Sequence, residues 1–588
     1  MVASSPRWDL TPFFPSISSP EFAASFKKLG EELVAFEAIV DACTVAGDSS
    51  GFSKLLNAFN ALLENMHLIR AYVECTVSID SNDTVAQARE SELDGLTCRL
   101  QALNTRITTW IGTLSIEELV ATNPEAKAHE FYLRKTKLQA TKLMSPAEEA
   151  LFSKLSPTGG VAWAKLHGNA TSQIVVKVAL PVGDEFLPMS GVRNLAYDND
   201  RGVRKTAYEA ELAAWKANEV PCAAATNSIK GEVGILAELR GWSSPLEPSL
   251  EQNNIDKPTL DALLSAARET FPEFRRYLRA KAKLLGQEKL AWFDLFAPVG
   301  ASKQEWTYEA ATNFVEKHFR NYSDKMADFA LRAFAEQWVD AEPRLGKRDG
   351  AYCEGFGGDI SRIMMNFKPS FGSVSTLAHE LGHGYHNVCL AGKTYIQQDS
   401  PSTVAETASI FCETILKRAA LKEVPDSERL AILEGALQGS CQVVVDITSR
   451  YLYETAIFAA RKDREQSAAE LCEMMVNAQR ETYGDGLDND YLHPYMWAAK
   501  PHYFSPNSSF YNYPYMFGQL FSLGLYAIYE KDREGFKARY DNLLSNTGAK
   551  DAATLAAEFG IDIRSADFWR GSLAIIKQDI DAFVELVG

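Results

Sequence analysis

The 588-residue sequence predicts a mainly α protein, helical lobes around one cleft with a minor sheet, on three observations. Apolar residues recur at three- and four-residue spacings along most of the chain. β-Branched runs are confined to a few short stretches, and no Pro/Ser/Gly-rich tether of linker length separates the parts. Hydrophobic residues make up 46 % and charged residues 23 %, a globular balance that excludes wholesale disorder. At roughly 150 residues per domain the length allows about four domains.

Taken in order, Pro20 to about Leu155 reads as helix almost throughout (EFAASFKKLGEELVAFEAIVDA, LLNAFNALLENMHLIRAYVEC, VAQARESELDGLTCRLQALNTRITTWI). Gly47 to Gly51 and Asp80 to Thr84 mark helix boundaries, and Ser145-Pro146 marks a helix start. This region shows no chemical constellation. Ser172 to Leu187, β-branched and punctuated by Pro181 and Gly183, predicts a small hairpin that closes an N-terminal region of residues 1–190. A second region, 191–588, opens with helices to Leu285 and a strand-like AWFDLFAPVG at Ala291 to Gly300. More helices lead to Lys347–Phe367 (KRDGAYCEGFGGDISRIMMNF), glycine-rich and then strand-like, after which the chain reads as helix to its end.

Sixty Lys and Arg against 77 Asp and Glu leave a net charge of −17, which argues against a nucleic-acid coat because phosphate binding needs a positive field. The opening MVASSPRWDLTPFFP has no basic start followed by an apolar run, so no secretory leader is expected. Leu520 to Tyr529 is half the ~20 residues a bilayer helix needs, so no membrane span is expected. The nine cysteines, without a C-x-x-C pair, suit a reducing compartment, and a cytoplasmic location is expected.

Chemistry concentrates in TLAHELGHGYHNVC, residues 376–389, where His379, Glu380 and His383 form H-E-x-x-H in a helical segment. Residues i and i+4 share one helix face, so two imidazoles can converge on one zinc while the intervening Glu reaches its water. Catalytic zinc normally takes three protein ligands, and PSTVAETASIFCETIL supplies Glu406 as the third. Small neighbours around Glu406, with Gly382 and Gly384 on the metal helix, favour close helix–helix approach. Glu413, seven residues on, is expected on about the same face, either orienting a ligand His or in solvent. The zinc site is thus expected within 376–416, with one Zn2+ per chain.

The run GAYCEGFGGDISRIMMNF…TLAHELGHGYH…AETAS…PHYF…FYNYPY resembles the oligoendopeptidase F branch of the thimet oligopeptidase family of zinc peptidases. WDLTPFFPSISSPEF and PLEPSLEQNNI extend the resemblance over nearly the whole chain. It implies a multi-helical ellipsoid of two lobes around a deep substrate channel, with a small β-sheet near the zinc helix, admitting short unfolded oligopeptides. The family's ligands fall on His379, His383 and Glu406 and its general base on Glu380, while His386 is not a ligand there. Its C-terminal substrate-contacting residues, in a segment spanning 493–520, fall on His502 and on tyrosines of FYNYPYMFG, with Tyr511 and Tyr515 as catalytic donors and Tyr513 as a substrate contact.

Ile360 to Phe367 resembles the edge strand that zinc peptidases place beside the metal helix, so Met364 and Asn366 are expected substrate contacts. Gly355, Gly357 and Gly358 ahead of it would let backbone approach a substrate or flex. The expected reaction is hydrolysis of internal peptide bonds by zinc-activated water with Glu380 as base. The alternatives are a helical zinc carboxypeptidase and a non-catalytic peptide-binding relative, against which Glu380 counts because a metal site needs ligands but no base.

Overall fold

A computed structural model of the chain describes residues 5–181, 183–300 and 306–588. Residues 1–4, where the stretch read as lacking a leader begins, Val182 of the expected hairpin, and 301–305 lie outside the described residues. Helix makes up 72 % of the chain, which leaves the described strands only two small sheets. The chain divides into two compact units, each drawn from three separate stretches.

One unit comprises Met1–Leu143, Gln304–Glu423 and Ile528–Gly560. Its first three helices, Pro20–Ala46, Phe52–Ile79 and Thr84–Thr113, start and stop where local chemistry dictates. Ser19 accepts from the Phe22 amide ahead of Pro20, Asp83 accepts from the Val85 and Ala86 amides, and Gly47 takes the left-handed φ of 69° that ends the first helix. Their inward faces, including Leu29, Leu33, Ile69, Val73 and Ile107, form one continuous core that also takes in Met364 and Ile396.

The same unit holds a three-stranded sheet. The chain's β1 and β2, Val175–Leu180 and Gly183–Pro188, are the expected hairpin and belong to the other unit. Here β3 (Val339–Asp340) runs parallel to β5 (Ser361–Met364), and β4 (Tyr352–Gly355) pairs antiparallel to β5 on its other side. The strand read as an edge is therefore the centre of its sheet. All four β5 residues are buried, and β4 is the edge in its place. Lys347 ties this layer together, donating to Asp340 Oδ1 at 2.6 Å and to the Met365 carbonyl at 2.6 Å.

The metal-motif helix, Phe371–Leu390, follows β5, capped by Ser370, and Gly392 with φ 85° turns the chain away after it. It packs against Thr407–Glu423. Gly382 explains how closely: a Cβ built there would lie 2.5 Å from Ser409 Cα and 2.6 Å from the Ala408 carbonyl oxygen. Glycine in a helix interior costs about 0.5–1 kcal/mol relative to alanine, so here it is tolerated for the approach it permits.

The second unit, Met144–Lys303, Val424–Ala527 and Ile561–Gly588, has its own core, in which Trp215, Ile229, Tyr453, Leu471 and Trp497 are buried. The strand expected at Ala291 to Gly300 does not form; a 3-10 turn at Trp292–Asp294 takes its place. Asp294, fully buried, accepts from the Arg204 guanidinium at 2.9 Å and from Arg201 at 3.0 Å, and that pairing holds the chain in a turn despite its apolar run. Asp426–Arg461 is long and apolar enough to pass a length-and-composition test for a bilayer helix, which the expectation drawn from Leu520 to Tyr529 overlooked. More than half of its apolar window is buried inside the protein, as in a core helix, which passes the same test.

Candidate active site

His379 and His383 stand one turn apart on the metal-motif helix, their ring centroids 5.0 Å apart. Glu406 meets both: its Oε2 lies 3.3 Å from His379 Nε2 and 3.4 Å from His383 Nε2. It is a single turn residue between the short helix Ser402–Ala405 and Thr407–Glu423, and not inside a continuous helix as expected. Ser409 Oγ donates to the same Oε2 at 2.7 Å and steadies the carboxylate.

The donor set fits a zinc ion. Ligands about 2.0–2.1 Å from a tetrahedral centre are separated from one another by ~3.4 Å, close to the two carboxylate–imidazole distances. Two imidazoles and one carboxylate, all with ligand atoms within 4.8 Å of one another, leave one position of a tetrahedron for water. Electrostatics favours a cation at this point. Burial alone would push His379 down, but hydrogen bonding to Glu406 and Glu413 outweighs it and holds the imidazole up, to about 10, in the metal-free chain. For Glu406 burial pushes the other way, and the hydrogen bonds from His379 and His383 keep its carboxyl well below the ordinary range.

Of the two roles open to Glu413, the structure supports orientation of a ligand: its Oε2 is 3.4 Å from His379 Nδ1, on the ring edge away from Glu406. A carboxylate there selects the tautomer that leaves Nε2 free as a ligand. Glu413→Gln is expected to weaken metal affinity by about 10- to 100-fold, read by chelator competition. Unchanged affinity would remove Glu413 from this role. His386 is not available as a ligand, since its Nε2 is engaged by Thr547 Oγ1 at 2.8 Å and the Leu544 carbonyl at 3.2 Å. Burial pushes it down to about 4, so it stays neutral.

Glu380 points into the same cavity and is 4 % exposed. Burial raises its carboxyl, against the pull of His379 and His383, and among the described residues its Oε2 has no hydrogen-bond partner. A buried carboxylate oxygen left open beside three candidate metal-ligand atoms is placed to exchange a proton with a water there.

The cavity measures about 520 Å3, and its wall includes Cys353, Gly355, Gly357 and Gly358. Gly357 and Gly358 adopt φ of 88° and 60°, a conformation that L side chains rarely take. Met364 and Asn366 fall elsewhere. Met364 is 2 % exposed in the core, and Asn366 spends its amide on the carbonyls of Arg348 and Gly350. The wall also carries residues that the motif reading missed: His67, from a helical series read as chemically silent, Glu354 and Tyr395. His67 Nε2 lies 3.8 Å from Glu354 Oε1, and its ring is 5.3 Å from that of Tyr395. Burial, with repulsion from Glu74, pushes Glu354 up to about 7. Nothing local in the sequence marks His67, because only tertiary packing brings it to β4.

His502, Tyr511 and Tyr515 cluster in the second unit. The Tyr511 and Tyr515 hydroxyls are 2.6 Å apart, and His502 Nε2 is 2.8 Å from Asn512 Nδ2. Burial and the charges of Arg450, Lys500 and Lys230 lower His502 to about 3, so it is neutral. Tyr513, which begins the helix Tyr513–Lys531, is 1 % exposed and donates to the Ser249 carbonyl at 3.0 Å, which makes it a core residue.

Comparison with known proteins agrees with this geometry. The family model described as Peptidase family M3 matches residues 194–575, and that described as Oligopeptidase F matches 111–175. The chain is 23 % identical over 600 residues to group B oligopeptidase PepB of Streptococcus agalactiae, covering 99 % of this chain and 97 % of the relative. It is 22 % identical over 599 residues to oligopeptidase PepF of Bacillus subtilis, covering 100 % of this chain and 88 % of that protein. In fold it resembles the crystal structure of oligoendopeptidase-F from Enterococcus faecium, with TM-score 0.71 at 19 % identity over 96 % of this chain and 99 % of that one. A family match over most of the chain, with the H-E-x-x-H helix and Glu406 inside it, shows that the chain belongs to peptidase family M3.

Proposed function

We propose that this M3 peptidase is a zinc endopeptidase that hydrolyses internal bonds of short, unfolded oligopeptides. The observation that carries the reading is the convergence of His379 Nε2 and His383 Nε2 on Glu406 Oε2, at 3.3 and 3.4 Å, with Glu380 beside them. Zinc held by these three residues supplies a Lewis acid that makes water nucleophilic near neutral pH and polarises a carbonyl. Glu380 accepts the proton that the attacking water sheds and keeps it on its carboxylate. It then returns that proton to the amine nitrogen as the peptide C–N bond breaks. β4 supports the substrate class: as an edge that lines the cavity, it offers main-chain groups to an extended peptide, a mode of binding that depends little on side-chain identity. Nine cysteines without a disulfide support a reducing, cytoplasmic location.

The test combines metal content by mass spectrometry with cleavage of an internally quenched peptide blocked at both ends. Stoichiometric zinc with interior cleavage is expected. Release of single C-terminal residues, with activity only on free C-termini, would point to a carboxypeptidase, and a metal-loaded chain that cuts nothing would leave a binding protein.

The donor role that the resemblance gives to His502, Tyr511 and Tyr515 is tested separately. Tyr515→Phe is expected to lower kcat by about 10²-fold with zinc content unchanged, the scale of losing one donor to a developing oxyanion. A change confined to KM would make Tyr515 a binding residue only.

A further inference from the structure

A second cavity, of about 260 Å3, lies within the second unit, and none of the metal-motif residues lines it. Its wall includes the aromatic rings of Trp292, Phe293 and Phe296. The wall also carries Arg193, Arg204, Glu211, His493 and Lys500.

These polar groups are unevenly satisfied. Glu211 accepts from Arg193 Nε at 2.7 Å and from Trp215 Nε1 at 3.2 Å, so the acid and the guanidinium compensate each other. Lys500 makes no side-chain hydrogen bond or ion pair among the described residues, and Asp446 and Glu211 attract it without contact. His493 is 1 % exposed, packed between the rings of Tyr208 and Trp292. Its Nε2 faces Glu211 Oε1 at 3.3 Å and helps hold that carboxyl below the ordinary range, which leaves Nδ1 as the ring nitrogen without a partner among the described residues. A buried ring nitrogen without a partner is costly unless something completes it. Gln442, also on the wall, begins the π-helical turn Gln442–Asp446, a distortion found disproportionately at functional sites.

We propose that this cavity binds a small organic monocarboxylate with an apolar or aromatic body, its carboxylate paired with Lys500 and its body against Trp292 and Phe296. The charge balance selects this class. With Arg193 cancelled by Glu211 and Arg204 by Asp294, Lys500 leaves one positive charge on the wall, which a monoanion neutralises, whereas a phosphate dianion would leave a surplus negative charge beside Glu211. The aromatic rings give a bare inorganic anion nothing to bury against. Burial, reinforced by the Arg450 charge and only partly offset by Asp446 and Glu211, pushes Lys500 down to about 8. The chemistry is shared by a free acylated amino acid and by the C-terminus of a peptide.

The test is isothermal titration of the full-length, zinc-loaded protein with N-acetyl-phenylalanine, its amide, N-acetyl-alanyl-phenylalanine and inorganic phosphate. One-to-one binding of the acid is expected, with the amide weaker by about tenfold or more. Binding of the dipeptide acid as tightly as the single residue would assign a peptide terminus, and its exclusion would assign a free amino-acid derivative; either supports the site. His383→Ala, which disables the metal centre, should retain binding, Lys500→Met should lose it by about tenfold or more, and Lys500→Arg should restore most of it. Equal binding of acid and amide, binding lost in His383→Ala, phosphate binding as tight as the acid, or no binding at millimolar concentration would each overturn the proposal. None of these outcomes bears on the peptidase reading, which the blocked-peptide assay decides on its own.

Discussion

Glu380→Gln is expected to leave the chain folded and metal-loaded while peptide turnover falls by about 10²- to 10⁴-fold, the range that general acid–base catalysis contributes. The substitution keeps shape and volume, so the packing around a side chain that is 4 % exposed is preserved. It adds no buried charge. The three atoms placed to hold a metal belong to His379, His383 and Glu406 and are untouched. What is lost is an oxygen able to take a proton, because an amide oxygen is far too weakly basic for that task near neutral pH. The paired measurements are zinc content by mass spectrometry and kcat on the quenched, end-blocked peptide. Loss of zinc would mean that Glu380 supports the metal and is not the base, and retained turnover would place the base elsewhere.

That residue, and the two histidines around it, were legible because their information is local: a five-residue spacing on a helix fixes which side chains share a face. Glu406 was legible as a candidate ligand but not in conformation. TVAETAS contains no glycine or proline to mark the turn at Glu406, which sits where Gly382 closes on Ala408 and Ser409. The position of β5 was illegible for a related reason. Its burial on both sides depends on β3, a two-residue strand too short to read as one, so a central strand looked like an edge. Asp294 and His67 owe their roles to partners far along the chain, Arg204 in one case and β4 in the other. A boundary near residue 190 likewise cannot express units that each gather three stretches of chain.

Gly382→Ala is expected to lower thermal stability and weaken zinc binding together, and the sign of its effect separates two forces. Helix propensity alone predicts stabilisation of about 1 kcal/mol, because alanine is the better residue within a helix. The contact predicts the opposite. An added Cβ would meet the Ser409 Cα, the Ala408 carbonyl oxygen and the Ser409 nitrogen at 2.5–2.8 Å, all backbone atoms that no rotamer change can clear. Relief requires the helix Phe371–Leu390 to move off Thr407–Glu423, and overpacking of this kind typically costs about 1–3 kcal/mol. The same movement carries Glu406, adjacent to that contact, away from His379 and His383. Metal affinity should therefore fall by about 10- to 100-fold, comparable to losing a group that orients a ligand. Gly30, inside Pro20–Ala46 with no atom within 4 Å of the corresponding Cβ, is the control: Gly30→Ala should raise stability by about 1 kcal/mol with zinc binding unchanged. If both variants stabilise the protein, the two metal-bearing helices are not held at the separation seen here, and the convergence of the three ligands needs another explanation.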